Sequence, residues 1–308
     1  MDQRGAAAPK LFVIALRCGQ LGNRLILFAH FIALAEESGC RVVNISFHSY
    51  AHLFEHTAQD IYCRYPVAAR RSWLDAVPGL ARAIRKTRIL YHVVRYGSAL
   101  NARLPLLGKS VLTVEEMPEI TLIEGAEFQG RIRDARLVLI YGWPFRAPGC
   151  VARHADKIRA YFRPVPEHAR ASREAVERLR RGADVVAGVH IRHGDYRHYR
   201  GGQFNFPVAR YAAWMRELAG QFPGRKVSFL VCSDEPRNAA EFPGLAVGFG
   251  PGTPVGDLYA LAGCDCLFGP RSTFTQWASF YGNTPLRPIS SSEDRLDRAT
   301  FRVSGLEG

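Results

Sequence analysis

The 308-residue chain lacks any apolar run approaching the ~20 residues that a bilayer-spanning helix requires. Behind its start, at residues 1–10, there is no long apolar segment and no small-residue cleavage site, so the sequence predicts no secretory signal. The seven cysteines are an odd, scattered set without the paired spacing of a structural zinc site. These absences favour a soluble, cytoplasmic protein with reduced thiols.

Low-complexity tracts and internal repeats are also missing, and the composition excludes a disordered chain. Hydrophobic residues make up 47% of the sequence, aromatic residues 11% and charged residues 22%. The length predicts roughly two domains, at the usual size of ~150 residues each.

Negative charge is scarce in the first half of the chain. The net charge is +13, and residues 1–165 hold 23 Lys or Arg against 13 Asp or Glu. No acidic residue lies between Asp75 and Glu115, and helical spacing there predicts a basic amphipathic helix over 80–95. Three interpretations stay open for it: a solvated outer helix, a surface that rests on anionic lipid headgroups, and a nucleic-acid surface. No nucleic-acid-binding signature supports the third, so no nucleic-acid partner is expected. The residues of the apolar side are Leu80, Ile84, Tyr91 and Val94.

Strands alternate with helices in both halves of the sequence. In the first half, an apolar strand at 11–16, a glycine loop at 19–23, a helix at 24–38 and a strand at 41–45 form the opening of a doubly wound domain. In the second half, strands are predicted at 185–191, 227–231, 245–249 and 266–269, with helices at 207–220, 257–262 and 272–281. This alternation predicts an α/β fold of two Rossmann-like, doubly wound domains, 1–165 and 166–308, that face a central cleft.

The first candidate site residues follow the strand at 185–191. His190 and Arg192 are two positions apart, so they share one face of the strand end, where an arginine fork binds phosphate well. A chance pairing in a surface turn is the alternative. The compact string His190-Ile-Arg192-His193-Gly194-Asp195-Tyr196 favours a site.

A second candidate anion site follows the strand at 266–269. Ser272 or Thr273 begins the next helix, and the amides of its first turn either bind an anion or are ordinarily capped. Two such strand ends in one sheet suit a nucleotide diphosphate. Asp257, at the start of the preceding helix, either accepts the N1 and N2 hydrogens of guanine or caps its helix.

The string at 190–196 resembles the first motif of the α-1,2-fucosyltransferases. The other motifs of that family are present in the expected order over about residues 11–290. They are Gly19-Gln-Leu-Gly22-Asn23, Val231-Cys-Ser-Asp234-Glu, Asp257-Leu-Tyr-x-Leu-x-x-Cys264, Ser272-Thr-Phe-x-x-Trp277 and Tyr281-Gly-Asn283-x-Pro285. The resemblance implies a GT-B glycosyltransferase with an inverting mechanism. It would use GDP-fucose as donor and would need no metal or other cofactor. The absence of an Asp-x-Asp string agrees with metal independence.

The resemblance also implies roles for individual residues. Arg192 would neutralise the β-phosphate of the leaving GDP, His190 would contact the nucleoside and Asp257 the guanine. Other donor contacts would come from Gly22, Asn23, Asp234, Ser272, Thr273 and the amide of Phe274. The sequence departs from the family at Arg24, where Gln is common, and at His193, where Arg is common.

The base that would accept the proton of the acceptor hydroxyl stays open. Asp195 and His193 are the candidates, and Asp195 is equally suited to orienting Arg192. The loop 199–206 is either an acceptor platform or a glycine-rich connection.

The acceptor is expected to be an oligosaccharide or a lipid-linked precursor of a surface glycan, with galactose O2 as the receiving hydroxyl. The basic helix would suit peripheral contact with an anionic membrane at its inner face. Two competing functions remain. One is a non-catalytic nucleotide- or glycan-binding protein on the same scaffold. The other is a histidine phosphatase, because Arg192-His193-Gly194-x-x-Arg197 is similar to the start of that family.

Overall fold

The computed structural model describes residues 9–68, 72, 74, 77, 79, 83–84, 89–103, 110–115 and 119–307. Contacts between Cα atoms divide the chain into two compact units, Met1–Val165 and Pro166–Gly308. The seven cysteines are free thiols, six of them buried. Among the described residues, no helix has both the length and the apolar character needed to cross a bilayer.

The first unit is built on a mostly parallel sheet. Within its described residues, the strand order is β3-β2-β1-β6-β4, with β3 antiparallel to β2 at one edge, and β5 and β7 form a separate parallel pair. The strands are β1 Leu11–Ile14, β2 Arg41–Asn44, β3 Arg64–Tyr65, β4 Val111–Glu115, β5 Thr121–Leu122, β6 Leu137–Tyr141 and β7 Phe145–Arg146. The helices are α1 Leu21–Ser38, α2 Glu55–Ala58, α3 Ile89–Arg103, α4 Ala126–Arg131, α5 Pro148–Arg153 and α6 Ala155–Tyr161.

Helix α1 connects β1 to β2 and is the buried centre of this unit. It begins at Leu21, three residues before the predicted start, so Gly22 and Asn23 lie in its first turn and not in a loop. Its apolar residues are buried on every side from Leu25 to Ala35, and the ring of Phe28 packs edge-on against three other aromatic rings. The helix ends at Gly39 as predicted, because this residue adopts a φ of 69°.

The predicted basic helix differs from the helix that forms. Helix α3 covers Ile89–Arg103, whereas much of 80–88, with Leu80, lies outside the described residues. Tyr91 and Val94, two positions of the predicted apolar side, pack with Leu90 against the cluster of Val13, Ala15, Ile45 and Leu139 on the sheet. The apolar side of the helix therefore contributes to the core.

The second unit contains a fully parallel sheet. Over residues 166–307 its strand order is β10-β9-β8-β11-β12, which is the order of a doubly wound sheet. The strands are β8 Val185–Ile191, β9 Val227–Ser233, β10 Ala246–Phe249, β11 Cys266–Pro270 and β12 Leu286–Ile289. The helices are α7 Pro166–Arg180, α8 Val208–Ala219, α9 Pro254–Ala262 and α10 Thr273–Gly282.

Strand β8 lies in the middle of this sheet, and all seven of its residues are buried. One face of the sheet packs on helix α8 through Phe229, Trp214 and Met215, each fully buried. Because β8 is covered on both faces, it is a continuous apolar run, which is why its bounds agree with the prediction to the residue.

Replacing Phe229 with Ala should lower the free energy of unfolding of the second unit by about 3–5 kcal/mol, because a fully buried ring is lost and a cavity remains. Urea unfolding monitored by tryptophan fluorescence measures this. Val303→Ala, at a side chain that is 39% exposed, is the control and should stay within about 0.5 kcal/mol of the parent. A loss at Phe229 no larger than at Val303 would contradict this description of the core.

Candidate active site

The carboxyl ends of four neighbouring parallel strands meet at one edge of the second sheet. β8, β9, β10 and β11 end there, and each is followed by residues that the sequence singles out. The predicted residues of the second unit therefore lie along this edge of the sheet. They are His190, Arg192, His193, Asp195, Asp234, Asp257, Ser272, Thr273 and Phe274.

Arg192 follows β8 and is held in one orientation by two neighbours. Its Nε and Nη2 donate to the two carboxylate oxygens of Asp195, at 2.8 and 2.6 Å. Its guanidinium carbon lies 4.6 Å from the centre of the Tyr196 ring. The Nη1 group makes no hydrogen bond within the described part of the chain, so its N–H donors remain available.

The pair is ionised. Burial is the largest single influence on Arg192, whose side chain is only 18% exposed, and it disfavours the charge. The hydrogen bond to Asp195 and the nearby charges of Asp195 and Asp234 together outweigh burial and raise the pKa of the guanidinium. The same hydrogen bond lowers the pKa of Asp195. Arg192 is therefore a fixed positive charge, and Asp195 is a weakened base.

The loop after β8 is hydrogen-bonded to residues that follow both neighbouring strands, β9 and β11. The carboxylate of Asp234, just after β9, accepts hydrogen bonds from the backbone amides of His193 and Gly194, at 2.9 and 3.0 Å. The hydroxyl of Tyr196 donates to the carbonyl oxygen of Arg271, just after β11, at 2.7 Å. These contacts fix the loop that carries Arg192.

His193 has both ring nitrogens engaged. Nδ1 lies 2.6 Å from Nη2 of Arg237, and Nε2 lies 2.6 Å from the carbonyl oxygen of Phe206. A guanidinium only donates, so Nδ1 accepts a hydrogen bond from Arg237, and Nε2–H donates one to the carbonyl oxygen of Phe206. His193 therefore connects the side chain of Arg237 to the backbone of Phe206. This geometry favours a positioning role for His193 over that of a base or a nucleophile.

His190, the second-last residue of β8, stacks on Phe274 of helix α10, with the ring centres 4.8 Å apart and 20° between the planes. It is buried, and burial, with the nearby charge of Arg192, lowers its pKa to about 3. Its Nδ1 is buried without a hydrogen-bond partner in the described structure. The imidazole is therefore neutral.

Gly269 of β11 makes the close approach to His190 possible. A Cβ atom at this position would lie 2.7 Å from the carbonyl oxygen of His190 and 3.0 Å from its Cβ. Only glycine leaves room here for the backbone and Cβ of His190 on the neighbouring strand.

Ser272 caps helix α10 at the same edge. Its backbone is extended, and its hydroxyl accepts a hydrogen bond from the amide of Thr275 at 3.2 Å. Thr273 and Phe274 are the first two helical residues, so their amides lie at the N-terminus of the helix. This is the geometry with which helix N-termini bind phosphate.

Asp257 lies in the first turn of helix α9, but it is not the cap. Thr253 caps that helix by accepting from the amide of Gly256, whereas Oδ1 of Asp257 accepts from the amide of Gly252 at 2.9 Å. Burial raises the pKa of Asp257 to about 6, so the group is ionised at neutral pH but costly to bury. Of the two roles that the sequence offers for Asp257, capping the helix is performed by Thr253 instead.

Gly22 and Asn23 belong to the first unit. A Cβ atom at Gly19, where φ is 62°, would collide with the Asn23 side chain, so the loop folds directly over Asn23. Arg24, the departure from the family pattern, braces this loop. Its guanidinium donates to the carbonyl oxygens of Gly19 and Ser46, at 3.0 and 3.1 Å.

Several residues that hold the site were not predicted from the sequence. Arg237 and Gly269 carry no local signal, because their roles depend on contacts across the sheet. Thr253 was detectable, since Thr followed by Pro254 is a common helix start. No group of three or more His, Cys, Asp or Glu among the described residues is arranged to hold a metal ion.

Solved fucosyltransferases have a similar fold. A mutant of Arabidopsis thaliana FUT1 in complex with GDP matches with a TM-score of 0.58 at 14% identity, over 97% of this chain and 74% of that chain. POFUT1 in complex with GDP matches with a TM-score of 0.51 at 11% identity, over 93% and 98%. NodZ α-1,6-fucosyltransferase co-crystallised with GDP matches with a TM-score of 0.51 at 16% identity, over 92% and 96%.

The likeness confirms the predicted fold class: the chain is an α/β protein of the GT-B type with Rossmann-like sheets. At identities this low it establishes the fold alone. No protein-family model matches the sequence, and no curated protein sequence matches it either.

Replacing Asp257 with Asn should stabilise the protein more at pH 8 than at pH 4. The pKa of Asp257 is about 6 when folded and near 3.8 when unfolded, so its burial is penalised as the pH rises through about 6. The difference in unfolding free energy between variant and parent should therefore increase by about 2–3 kcal/mol from pH 4 to pH 8.

Urea unfolding at the two pH values tests this expectation. Asp156→Asn is the control, since that side chain is 98% exposed, and its difference from the parent should be the same at both pH values. If Asp257→Asn behaves as Asp156→Asn does, the carboxylate is not buried as described.

Proposed function

We propose that this chain is a fucosyltransferase that moves fucose from GDP-fucose, without a metal ion, to a sugar hydroxyl of a glycan precursor. The reaction is inverting: the acceptor hydroxyl oxygen attacks C1 of fucose as the bond from C1 to the β-phosphate oxygen breaks. GDP leaves, and the hydroxyl proton passes to solvent. Galactose O2 is the proposed receiving hydroxyl, following the resemblance of 190–196 to the α-1,2-fucosyltransferases.

The observation that carries the proposal is the setting of Arg192. Its guanidinium is oriented by Asp195 and leaves Nη1 without a partner in the described structure. As the sugar–phosphate bond breaks, GDP gains negative charge, and a fixed cation stabilises that charge more in the transition state than in the ground state. A cation already held in place needs no reorganisation at that moment.

The rest of the strand edge suits the donor. The first turn of helix α10, at Ser272, Thr273 and Phe274, is assigned to the phosphates. His190, stacked on Phe274 and neutral, is assigned to the nucleoside, so the arginine is the cation of the site and the histidine is not.

Asp257 is assigned to guanine. Its carboxylate is ionised above a pKa of about 6 and accepts hydrogen bonds only, which matches the two donors, N1–H and N2–H, on the guanine edge. Adenine and uracil do not offer that pair of donors. Binding guanine also compensates the cost of burying the carboxylate.

Asp195 and His193 are proposed as positioning residues. The lowered pKa of Asp195 makes it a poor proton acceptor, and both ring nitrogens of His193 are hydrogen-bonded within the protein. Asp234 likewise positions the loop through the amides of His193 and Gly194. The roles of Gly22 and Asn23 toward the donor remain predictions from the family resemblance.

The fold supports the same class of reaction. The three solved structures named above are fucosyltransferases with this fold, and all three contain GDP. The non-catalytic alternative predicts nucleotide binding without turnover, and transfer assays distinguish it. The phosphatase alternative needs His193 as a nucleophile, which its two hydrogen bonds disfavour.

Replacing Arg192 with Ala should reduce fucose transfer by about 10²–10³-fold, because the charge on the leaving phosphate is no longer neutralised. The assay uses labelled GDP-fucose with a panel of galactosides. Circular dichroism and thermal unfolding verify that the variant is folded.

The matched control is Arg180→Ala. Arg180 also pairs with an aspartate, Asp265 at 3.0 Å, but next to the start of β11, at the opposite edge of the same sheet. Its removal should leave transfer within about twofold of the parent, since exposed pairs contribute little. Equal transfer by Arg192→Ala and Arg180→Ala would refute the role of Arg192.

Calorimetry should show that the protein binds GDP more tightly than UDP or ADP. Asp257→Asn should lose about 1–3 kcal/mol of that preference, because an amide presents one acceptor and one donor where guanine needs two acceptors. Equal binding of the three nucleotides by the parent chain would reject Asp257 as the group that reads guanine.

A further inference from the structure

Helix α3 has two apolar faces, and the sheet covers one of them. Leu90, Tyr91 and Val94 pack against the first sheet. The large apolar residues of the other face form an outer stripe at successive spacings of four, three and four residues, which places them in one row along the helix. The outer stripe consists of Ile89, Val93, Tyr96 and Leu100, which are 51%, 62%, 70% and 52% exposed.

The outer stripe is not needed for the packing of the unit, because the opposite face of α3 already makes the core contacts. Single exposed apolar residues are common on protein surfaces, but a continuous row of four marks a surface that binds something. Tyr96 in the middle of the row, with its ring stacked on that of His92, has the amphipathic character of side chains at an apolar–aqueous boundary.

The charge of the sequence segment that contains the outer stripe indicates what binds there. Arg95 is exposed and donates to the hydroxyl of Tyr91 at 2.8 Å. Between Asp75 and Glu115 the sequence contains seven Lys or Arg and no acidic residue. A partner must therefore be both negatively charged and able to accept apolar side chains, which is the chemistry of an anionic lipid surface.

We infer that the outer stripe binds an anionic membrane, with helix α3 lying in the plane of the headgroups and its four apolar side chains inserted below them. This contact keeps the first unit at the membrane surface without a membrane-spanning helix. The inference does not rest on the proposed transfer reaction, because it derives from exposure and charge on the first unit alone.

Co-sedimentation with lipid vesicles tests the inference. The parent chain should bind vesicles of phosphatidylcholine mixed with phosphatidylglycerol. Its binding to vesicles of phosphatidylcholine alone should be weaker by roughly tenfold or more. High salt should weaken the anionic binding. The double variant Val93→Gln, Leu100→Gln should lower it about tenfold, since two apolar insertions are lost.

Glutamine forms helices well, so the double variant should fold, and circular dichroism verifies this. Val303→Gln, at an exposed apolar residue of the second unit, is the matched control and should bind as the parent does. Arg95→Gln should weaken binding to anionic vesicles only.

Three outcomes would overturn the inference. The parent chain fails to bind anionic vesicles, or the double variant binds them as tightly as Val303→Gln does. The third is that the parent forms a dimer in sedimentation equilibrium, the double variant is a monomer, and neither binds vesicles, in which case a second copy of the chain covers the outer stripe.

Discussion

A guanidinium that is mostly removed from water needs a carboxylate partner, and the pairing of Arg192 with Asp195 satisfies this need within a single turn of chain. The pairing leaves Nη1 without a hydrogen-bond partner among the described residues, in the loop that follows β8. The contacts of Tyr196 and Asp234 secure the loop against the neighbouring strands. In the proposed site, this pairing holds the positive charge of Arg192 in place.

The parallel sheet explains why these groups meet. Residues far apart in sequence, such as His190 and Phe274, come into contact because β8 and β11 are adjacent and point the same way. Gly269 permits the close approach, and Ser272 starts a helix at the same level. The site on the second unit is thus a consequence of strand order, with chemistry added where each strand ends.

Much of this fold can be predicted from the sequence, and the parts that cannot be predicted have physical reasons. Buried strands such as β8 are recognisable as continuous apolar runs, whereas β12 was missed because Arg287 and Pro288 interrupt its pattern. The start of α1 was placed three residues late, since Gly22 and Asn23 are poor helix formers that tertiary burial overrides. The second apolar face of α3 was not recognised, because helical spacing shows that a face is apolar but not which face the core covers.

The central claim is that Arg192 contacts the β-phosphate of the nucleotide, and a crystal structure of the chain with GDP tests it most directly. The account predicts that Nη1 of Arg192 lies within hydrogen-bond distance of a β-phosphate oxygen while Asp195 still accepts from the same guanidinium. It also predicts that the phosphates lie at the first turn of helix α10. A GDP molecule bound elsewhere, or bound here with Arg192 turned away from its phosphates, would contradict the account.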